Sequence, residues 1–308
     1  MRSHLTALVL TTVLVSTALA GGPAVAVDGV GWVVEPSGTT NTLIGVWGSD
    51  ASTVFAVGAK GTVLRRDGTS WSAIDIGSQL HLTSVWGASA RDLFVMGDGG
   101  LVLHHDGAGW TTMETGAMVN LDAVWGSSSD DVFAVGDEDG VILHYDGKAW
   151  SRMPSGTTNG LFGVWGSGPT DVVAVGMGAT ILHYDGKAWS PMSSGSSQHF
   201  TGVWGSSASD VFAVGSGGAI VHFDGKAWSP METGTTQHLF RVWGSGPSDV
   251  FAVGSGGTIL HYDGTSWTPM ASPKDSTLYT VWGSSAGNVL AVGPGGTILR
   301  YQVSSPAR

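Results

Sequence analysis

The tripeptide Val-Trp-Gly occurs seven times along this sequence of 308 residues. Its tryptophans are Trp47, Trp86, Trp125, Trp165, Trp204, Trp243 and Trp282. Successive tryptophans are 39 or 40 residues apart, which is about the length of one four-stranded blade of a β-propeller. Seven blades of that size can close into a ring. The period therefore predicts an all-β fold, a seven-bladed β-propeller of four-stranded blades.

The fifth repeat shows how one blade is built. Its short apolar runs are separated by glycine and aspartate turns, and no helical period competes with them. We expect strand A at 201–205, strand B at 211–214, strand C at 219–223 and a strand D that begins at Trp228. The runs are almost continuously apolar, as expected of strands that are covered on both faces.

The seventh repeat lacks its fourth strand, because no Asp-Gly turn and no second tryptophan follow Tyr301. The missing pattern lies at the other end of the chain, in the segment from Asp28 to Trp32. Trp32 precedes Trp47 by 15 residues, the spacing that every other strand-D tryptophan has to the next Val-Trp-Gly. The N-terminal strand is therefore predicted to complete the last blade and pair an otherwise exposed edge. The propeller is predicted to span residues 28–303, followed by a tail at 304–308.

The first residues have the pattern of a secretory signal. Arg2 precedes an apolar run, and Ala18-Leu19-Ala20 forms a small-residue cleavage site. We expect a signal peptide at 1–20, a short linker at 21–27 and a mature protein that is secreted or periplasmic and not inserted in the membrane. Retention of the apolar run as an uncleaved anchor helix is the alternative.

Composition excludes several classes of site. The formal net charge is −11, and the 13 Lys and Arg residues form no cluster, so a nucleic-acid partner is not expected. The sequence contains no cysteine, which excludes disulfides, thiolate zinc sites and a cysteine nucleophile. No cofactor is expected.

A second signature is Asp-Gly followed, after two further residues, by tryptophan. It begins at Asp67, Asp106, Asp146, Asp185, Asp224 and Asp263. Asp-Gly is a strong hairpin signal, because the aspartate side chain can accept hydrogen bonds from turn amides and glycine tolerates a positive φ. We therefore interpret these aspartates as structural rather than catalytic.

The whole repeat reads Val-Trp-Gly-Ser-Ser, then Asp-Val-Phe-Ala-Val-Gly, then Ile-Leu-His-Tyr-Asp-Gly and a tryptophan. It is similar to the secreted propeller repeat proteins of myxobacteria and related bacteria, and the resemblance covers residues 28–301. The aspartate turn before strand D distantly resembles the Asp-box of sialidase-type BNR propellers. That box separates its Asp and Gly by one residue, whereas here they are adjacent. The resemblance implies the propeller fold and export.

Histidine and acidic residues suggest metal ligands. Strand C carries a histidine at one repeat position in five blades: His104, His144, His183, His222 and His261. Equivalent positions of neighbouring blades are far apart, whereas zinc ligands lie about 2 Å from one ion, so we interpret these histidines as packing residues. The loop Asp137-Glu138-Asp139 is a weak calcium candidate that lacks the spaced ligands of a dedicated site. No metal is expected.

Only residues near the axis of a propeller can form one shared site. The loops that enter strand A, five residues before each Val-Trp-Gly tryptophan, differ between repeats. Blades five and six have the most polar versions, so we predict a ligand-binding site in this sector. Its residues are Gln198, His199, Gln237, His238, Arg241 and Tyr279. An ordinary solvated loop is the alternative for each of them.

No residue is nominated as catalytic. The eight arginines are scattered, and the four glutamates suggest no acid pair for glycoside hydrolysis. We predict an exported, monomeric, non-catalytic binding or interaction module whose polar loops recognise a glycan or a protein partner of the envelope. One alternative is a sialidase-like glycoside hydrolase or polysaccharide lyase with a pocket on the axis. Another is a structural envelope or matrix protein.

Overall fold

The computed structural model describes residues 31–303. The predicted signal peptide, linker and tail, together with residues 28–30, lie outside this range. Blade one consists of β2 (Leu43–Gly48), β3 (Thr53–Gly58), β4 (Thr62–Asp67) and β5 (Ser70–Ile74). Blade two consists of β6 (Leu82–Ser89), β7 (Asp92–Gly97), β8 (Val102–His105) and β9 (Trp110–Thr112). Blade three consists of β10 (Leu121–Ser128), β11 (Asp131–Gly136), β12 (Ile142–Tyr145) and β13 (Trp150–Met153).

The other blades follow in chain order. Blade four consists of β14 (Leu161–Gly168), β15 (Asp171–Gly176), β16 (Ile181–Tyr184) and β17 (Trp189–Pro191). Blade five consists of β18 (Phe200–Ser207), β19 (Asp210–Gly215), β20 (Ile220–Phe223) and β21 (Trp228–Met231). Blade six consists of β22 (Leu239–Gly246), β23 (Asp249–Gly254), β24 (Ile259–Tyr262) and β25 (Trp267–Pro269). Blade seven consists of β26 (Thr280–Ser285), β27 (Asn288–Gly293), β28 (Thr297–Gln302) and β1 (Gly31–Glu35).

All seven sheets are four-stranded and antiparallel, with the order A-B-C-D in each. The predicted seven-bladed propeller is therefore confirmed. Single 3₁₀ turns join strands B and C in five blades, at Ala59–Gly61, Asp98–Gly100, Ser216–Gly218, Ser255–Gly257 and Pro294–Gly296. No helix among residues 31–303 is long and apolar enough to cross a membrane.

Strands A and B of blade five extend beyond the apolar runs that predicted them, whereas strand C begins one residue later than predicted, at Ile220. Strand A begins at Phe200 and continues to Ser207, which pairs with Asp210 of strand B across the hairpin. The residues added at this hairpin are Ser206, Ser207 and Asp210, which the apolar pattern assigned to a turn. Backbone pairing in an antiparallel hairpin continues past the last buried side chain, so composition alone underestimates strand length.

The ring is closed by the N-terminal strand. β1 pairs with β28 in antiparallel register, with Trp32 opposite Tyr301, and so becomes the outer strand of blade seven. Trp32 is only 6% exposed and packs edge-on against Phe251 of blade six. The closure predicted from the orphan strand pattern is therefore confirmed for the described part of that segment.

The core lies between blades rather than within one sheet. A typical cluster joins Phe212 and Val214 of blade five to Val242, Leu260 and Trp267 of blade six. Seven clusters of this kind occur among residues 31–303. Each blade therefore depends on its two neighbours for burial of its apolar faces.

The Val-Trp-Gly motif is explained by a contact between neighbouring blades. A Cβ atom on Gly205 would lie 2.6 Å from Cη2 of Trp165 in the preceding blade. The same contact joins the other pairs: Gly48 with Trp282, Gly87 with Trp47, Gly126 with Trp86, Gly166 with Trp125, Gly244 with Trp204 and Gly283 with Trp243. Each tryptophan therefore rests on the glycine of the next blade, and the contact runs around the whole ring.

Replacing Gly205 by alanine is expected to lower the free energy of unfolding by about 1–3 kcal/mol, as overpacking of a core does. The new methyl group would meet both the Trp165 ring and the Asp210 carbonyl oxygen, which lies 2.7 Å from the Cβ position. Urea denaturation followed by tryptophan fluorescence measures the change. Gly109→Ala is the matched control, since its Cβ would meet nothing within 4 Å. Equal stability of the two variants would show that the contact does not require glycine.

Candidate functional site: the axial cavity

The first strand of each blade lies innermost. Each contacts the first strands of the two neighbouring blades, and β2 and β26 contact each other where the ring closes. Side chains of a strand point alternately to its two faces, so one residue in two can face the axis. The residue three before each Val-Trp-Gly tryptophan takes this position in the cavity described next.

A cavity of about 350 Å³ opens on the axis. Six of its lining residues stand three before a Val-Trp-Gly tryptophan: Ile44, Asp122, Phe162, Thr201, Phe240 and Tyr279. The first five are the second residue of strand A, and Tyr279 directly precedes β26. Blade two has Thr83 at the equivalent position. The remaining lining residues are Met177, His199, Ser216, His238 and Arg241. The cavity is therefore built from positions that differ between blades whose other residues largely repeat.

Four of the six predicted site residues line this cavity: His199, His238, Arg241 and Tyr279. The other two, Gln198 and Gln237, are outside its lining. Their backbone amides donate hydrogen bonds to Ser196 Oγ and Thr235 Oγ1, both at 3.1 Å. The structure therefore brings the histidines, the arginine and the tyrosine together but leaves the two glutamines in the surrounding loops.

Arg241 crosses the axis. Its Nη1 donates to the carbonyl oxygens of Thr201 and Phe240, the latter at 3.1 Å. Its Nη2 donates to the backbone carbonyl of Asp122 in blade three at 3.2 Å. Burial lowers the pKa of Arg241, and the Asp122 carboxylate partly opposes this effect. The other blades have only small residues at this position: Gly45, Ser84, Ala123, Gly163, Gly202 and Thr280.

Asp122 is a partly buried side chain in the cavity wall. Its Oδ2 atom has no hydrogen-bond partner among residues 31–303. Burial raises the pKa of Asp122 to about 7, Arg241 lowers it, and the carboxylates of Asp137 and Asp98 raise it further. A buried acceptor without a donor is costly, so this oxygen is suited to a group donated by a ligand.

Two histidines and two aromatic rings line the wall contributed by blades five to seven. His199 Nδ1 accepts the amide of Gly178 at 2.8 Å, so the proton of the neutral ring lies on Nε2. The His238 ring stacks on Phe240 at 4.5 Å, and Phe240 meets Tyr279 edge-to-face at 5.6 Å. His238 Nε2 is buried without a partner among the described residues. Burial, and to a smaller extent His199, lowers the pKa of His238.

The strand-C histidines are packing residues, as predicted. His222 stacks on Phe212 at 4.4 Å, and its Nε2 bonds Asp210 Oδ1 at 2.6 Å. The same histidine–aspartate pair recurs in the other four blades that carry the histidine, at 2.6–2.9 Å. Strand C lies away from the axis, so these side chains take no part in the cavity.

Five of the six Asp-Gly turns have the predicted hydrogen bonds from turn amides to the aspartate, whereas Asp67 Oδ1 of blade one pairs with Arg65 Nη2 at 3.0 Å. Asp224 Oδ1 accepts the amides of Ala227 and Lys226, both at 2.9 Å, and these bonds lower the pKa of Asp224. Gly225 adopts a φ of 87°, which glycine tolerates without strain. Blades two, three, four and six repeat this arrangement.

The acidic loop of blade three holds no metal-like arrangement. Among residues 31–303, no group of three or more histidine, aspartate or glutamate side chains converges where an ion could bind, and the loop residues Asp137, Glu138 and Asp139 are within that range. Asp137 Oδ2 instead accepts a hydrogen bond from Asn120 Nδ2 at 3.0 Å. The loop contributes charge to the cavity mouth rather than a cage of ligands.

Seven lining residues were not among the predicted site residues: Ile44, Asp122, Phe162, Met177, Thr201, Ser216 and Phe240. We predicted that the residue five before each tryptophan would face the axis, but that residue lies at the rim of the cavity. The deeper wall is formed by the residue two positions later. Divergence within the repeat could have found five of the seven. The position three before the tryptophan holds isoleucine, threonine, aspartate, phenylalanine and tyrosine in different blades, while the residue before it is leucine in six blades and phenylalanine in the other.

Comparison with known proteins supports the architecture. No protein-family model and no curated protein sequence matches this chain. A solved structure titled "YCF48 bound to D1 peptide" is 19% identical, with a TM-score of 0.75, over 94% of this chain and 100% of that one. YCF48 from Cyanidioschyzon merolae is 16% identical, with a TM-score of 0.71, over 88% and 98%. The WD40 β-propeller domain of Doa1 is 13% identical, with a TM-score of 0.77, over 90% and 98%. At these identities the shared property is the fold, so this chain is a seven-bladed β-propeller similar to these structures.

Proposed function

We propose that this protein is a non-catalytic interaction module that binds a segment of a protein partner, with one side chain of that partner inserted into the axial cavity. The observation that carries the proposal is the lining of the cavity. Near-identical blades differ at the positions that face it, and two of its polar atoms are buried without partners among the described residues. Its volume of about 350 Å³ is at the lower end of the range for ligand pockets.

The chemistry of the lining favours binding over hydrolysis. Asp122 is the one carboxyl that lines the cavity within residues 31–303, whereas glycoside hydrolases use two carboxyls that flank the scissile bond. Most of the wall is aliphatic or aromatic, contributed by Ile44, Phe162, Phe240 and Tyr279. Such a wall with a few convergent polar groups is typical of a recognition pocket.

The face that surrounds the cavity favours a protein partner. Leu80 is 50% exposed and Met118 is 93% exposed, in the loops that precede strand A of blades two and three. Met177 of blade four, 43% exposed, lies in the cavity lining itself. Exposed aliphatic side chains around a pocket are typical of protein-binding surfaces. The solved YCF48 propeller whose title names a bound peptide offers a precedent on the same fold.

Glycan recognition is the second candidate, because the rings of Phe240 and Tyr279 and the two histidines could contact a sugar. The proposal also includes export, which rests on the signal-like pattern of residues 1–20 and on the similarity to secreted repeat proteins. A secreted or periplasmic propeller would meet envelope proteins and glycans alike. The experiment below separates these two ligand classes.

Selection of peptides from a random phage-displayed library on the purified propeller tests the proposal. Enriched peptides are expected to bind at least about ten-fold more weakly to Phe240→Ala, since removal of a central aromatic anchor costs about 2 kcal/mol or more. Lys148→Ala is the control, because Lys148 lies in the turn between strands C and D, at the opposite end of the blade. A glycan panel is screened in parallel. Peptides that bind Phe240→Ala as well as they bind the original chain, or ligands found only among the glycans, would contradict the proposal.

A further inference from the structure

The mouth of the cavity is electrostatically one-sided. Asp98 and Asp137 begin the loops between strands B and C in blades two and three. Blades four and five place Met177 and Ser216 at the same loop position, and both line the cavity. Asp98 and Asp137 are also close enough to Asp122 to raise its pKa. Three carboxyl groups therefore lie on one side of the axis, in a chain whose formal charge is −11.

Aromatic rings form much of the remaining wall. Phe240 and Tyr279 come from blades six and seven, across the axis from blade three, and Phe162 comes from blade four, next to blade three. The face of an aromatic ring carries partial negative charge and attracts cations within about 6 Å of its centre. The aromatic wall and the acidic wall thus favour the same sign of charge in a ligand.

The one arginine of the cavity lowers the pKa of Asp122 but forms no ion pair with its carboxylate among the described residues. Its guanidinium instead donates to the backbone carbonyls of Thr201, Phe240 and Asp122. Oδ2 of Asp122 remains a buried acceptor without a donor in residues 31–303. A ligand with a positively charged N–H group would satisfy this oxygen, and a charge-assisted bond of this kind is stronger than a neutral one.

We propose that the group inserted into the cavity is a primary ammonium on an aliphatic stem, such as a lysine side chain, held between the Asp122 carboxylate and the rings of Phe162, Phe240 and Tyr279. The stem would contact Ile44 and Met177, which complete the apolar lining. This inference rests on the proposed function, because it names the chemistry that the same cavity recognises.

The test measures the binding of three small probes to the purified protein at pH 8, by calorimetry and by saturation-transfer NMR. n-Hexylammonium, hexan-1-ol and hexanoate share one stem length and differ in their polar end. Hexylammonium is expected to bind about ten-fold or more tightly than hexan-1-ol, as a charge-assisted bond to a buried carboxylate would give. Asp122→Asn should abolish this preference. Glu232→Gln, which removes an exposed carboxylate outside the cavity, should retain it.

The pH dependence supplies a second readout. The pKa of Asp122 is about 7, so the carboxylate that binds the cation is mostly protonated at pH 6 and mostly ionised at pH 8. Hexylammonium is therefore expected to bind up to about ten-fold more tightly at pH 8 than at pH 6. His199, His238, Arg241, Asp98 and Asp137 also face or adjoin the site. These groups remain in Asp122→Asn, so this variant measures their contribution to the pH dependence of binding. Its affinity for hexylammonium should change little between pH 6 and pH 8.

The outcomes distinguish the two proposals. Equal or tighter binding of hexan-1-ol or hexanoate, absence of hexylammonium binding, or a preference that survives in Asp122→Asn would overturn the ammonium assignment. If selected peptides nevertheless lose affinity for Phe240→Ala, the interaction module at the cavity stands. If those peptides are also insensitive to Phe240→Ala, the proposed function itself fails.

Discussion

A chain that lacks residues 28–37 is expected to unfold at least about 15 °C below the full chain. The deletion removes β1, which supplies the outer strand of blade seven, and exposes the edge of β28. It also removes Trp32, whose loss from a core costs about 3–5 kcal/mol. Loss of the Glu35 contacts described below adds a similar amount, and each kcal/mol lowers Tm by about 2–4 °C in a chain of this size.

Differential scanning calorimetry of the two chains measures this shift. Val34→Thr is the matched control within the same strand, because Val34 is 48% exposed and its replacement should leave Tm almost unchanged. A synthetic peptide of residues 28–37, added in excess to the shortened chain, should recover part of the stability by binding the open blade. An unchanged Tm on deletion would show that the N-terminal strand does not hold the ring closed.

Replacing Glu35 by alanine is expected to lower the free energy of unfolding by about 3–5 kcal/mol, the usual cost of leaving a buried charge unpaired. Glu35 Oε1 accepts hydrogen bonds from Arg66 Nε at 2.8 Å and from Trp71 Nε1 at 2.7 Å, both in blade one. Its Oε2 accepts a bond from Arg300 Nε of blade seven at 3.0 Å. The side chains of Glu35 and Arg66 are 10% and 6% exposed. One carboxylate therefore joins the first and last blades.

The equivalent junction between blades five and six has an uncharged side chain in place of Glu35. Met231 occupies in blade five the position that Glu35 occupies in blade seven. Its Sδ lies 3.4 Å from Nε1 of Trp267 in the next blade. Tyrosine or phenylalanine takes the place of Arg66 in blades three to seven. The double variant Glu35→Met, Arg66→Tyr is therefore expected to regain most of the stability lost in Glu35→Ala. Chemical denaturation of the three chains tests this. Full stability of Glu35→Ala, or no recovery in the double variant, would contradict the ionic closure.

Most of the fold followed from local regularities of the sequence. The recurrence of Val-Trp-Gly set the number of blades, and the spacing between Trp32 and Trp47 located the closing strand. The Asp-Gly hairpins could be predicted from the conformational preferences of two residues alone. In the structure, Asp224 and its equivalents accept hydrogen bonds from the turn amides as expected. Such features can be predicted because each copy of a repeat has the same neighbours in the fold. A pattern that recurs along the sequence therefore indicates a contact that recurs in the structure.

Other features required the folded ring. The motif shows that glycine follows tryptophan, but only blade packing reveals that Gly205 is covered by Trp165 of the preceding blade, 40 residues earlier. The carboxylate of Glu35 contacts Arg66 and Arg300, which lie 31 and 265 positions away from it in the sequence. No periodicity encodes the contacts of Glu35, because they occur once, where the ends of the ring meet.

The sequence by itself determined a closed ring of seven blades and pointed to the sector of His199, His238, Arg241 and Tyr279. Only the tertiary structure decided that these residues share a cavity with Asp122 of blade three and Phe162 of blade four. The physical reason is that a residue's approach to the axis depends on how seven sheets tilt and pack together. Burial without a partner, as at Asp122 Oδ2, is likewise a property of that packing and not of the repeat.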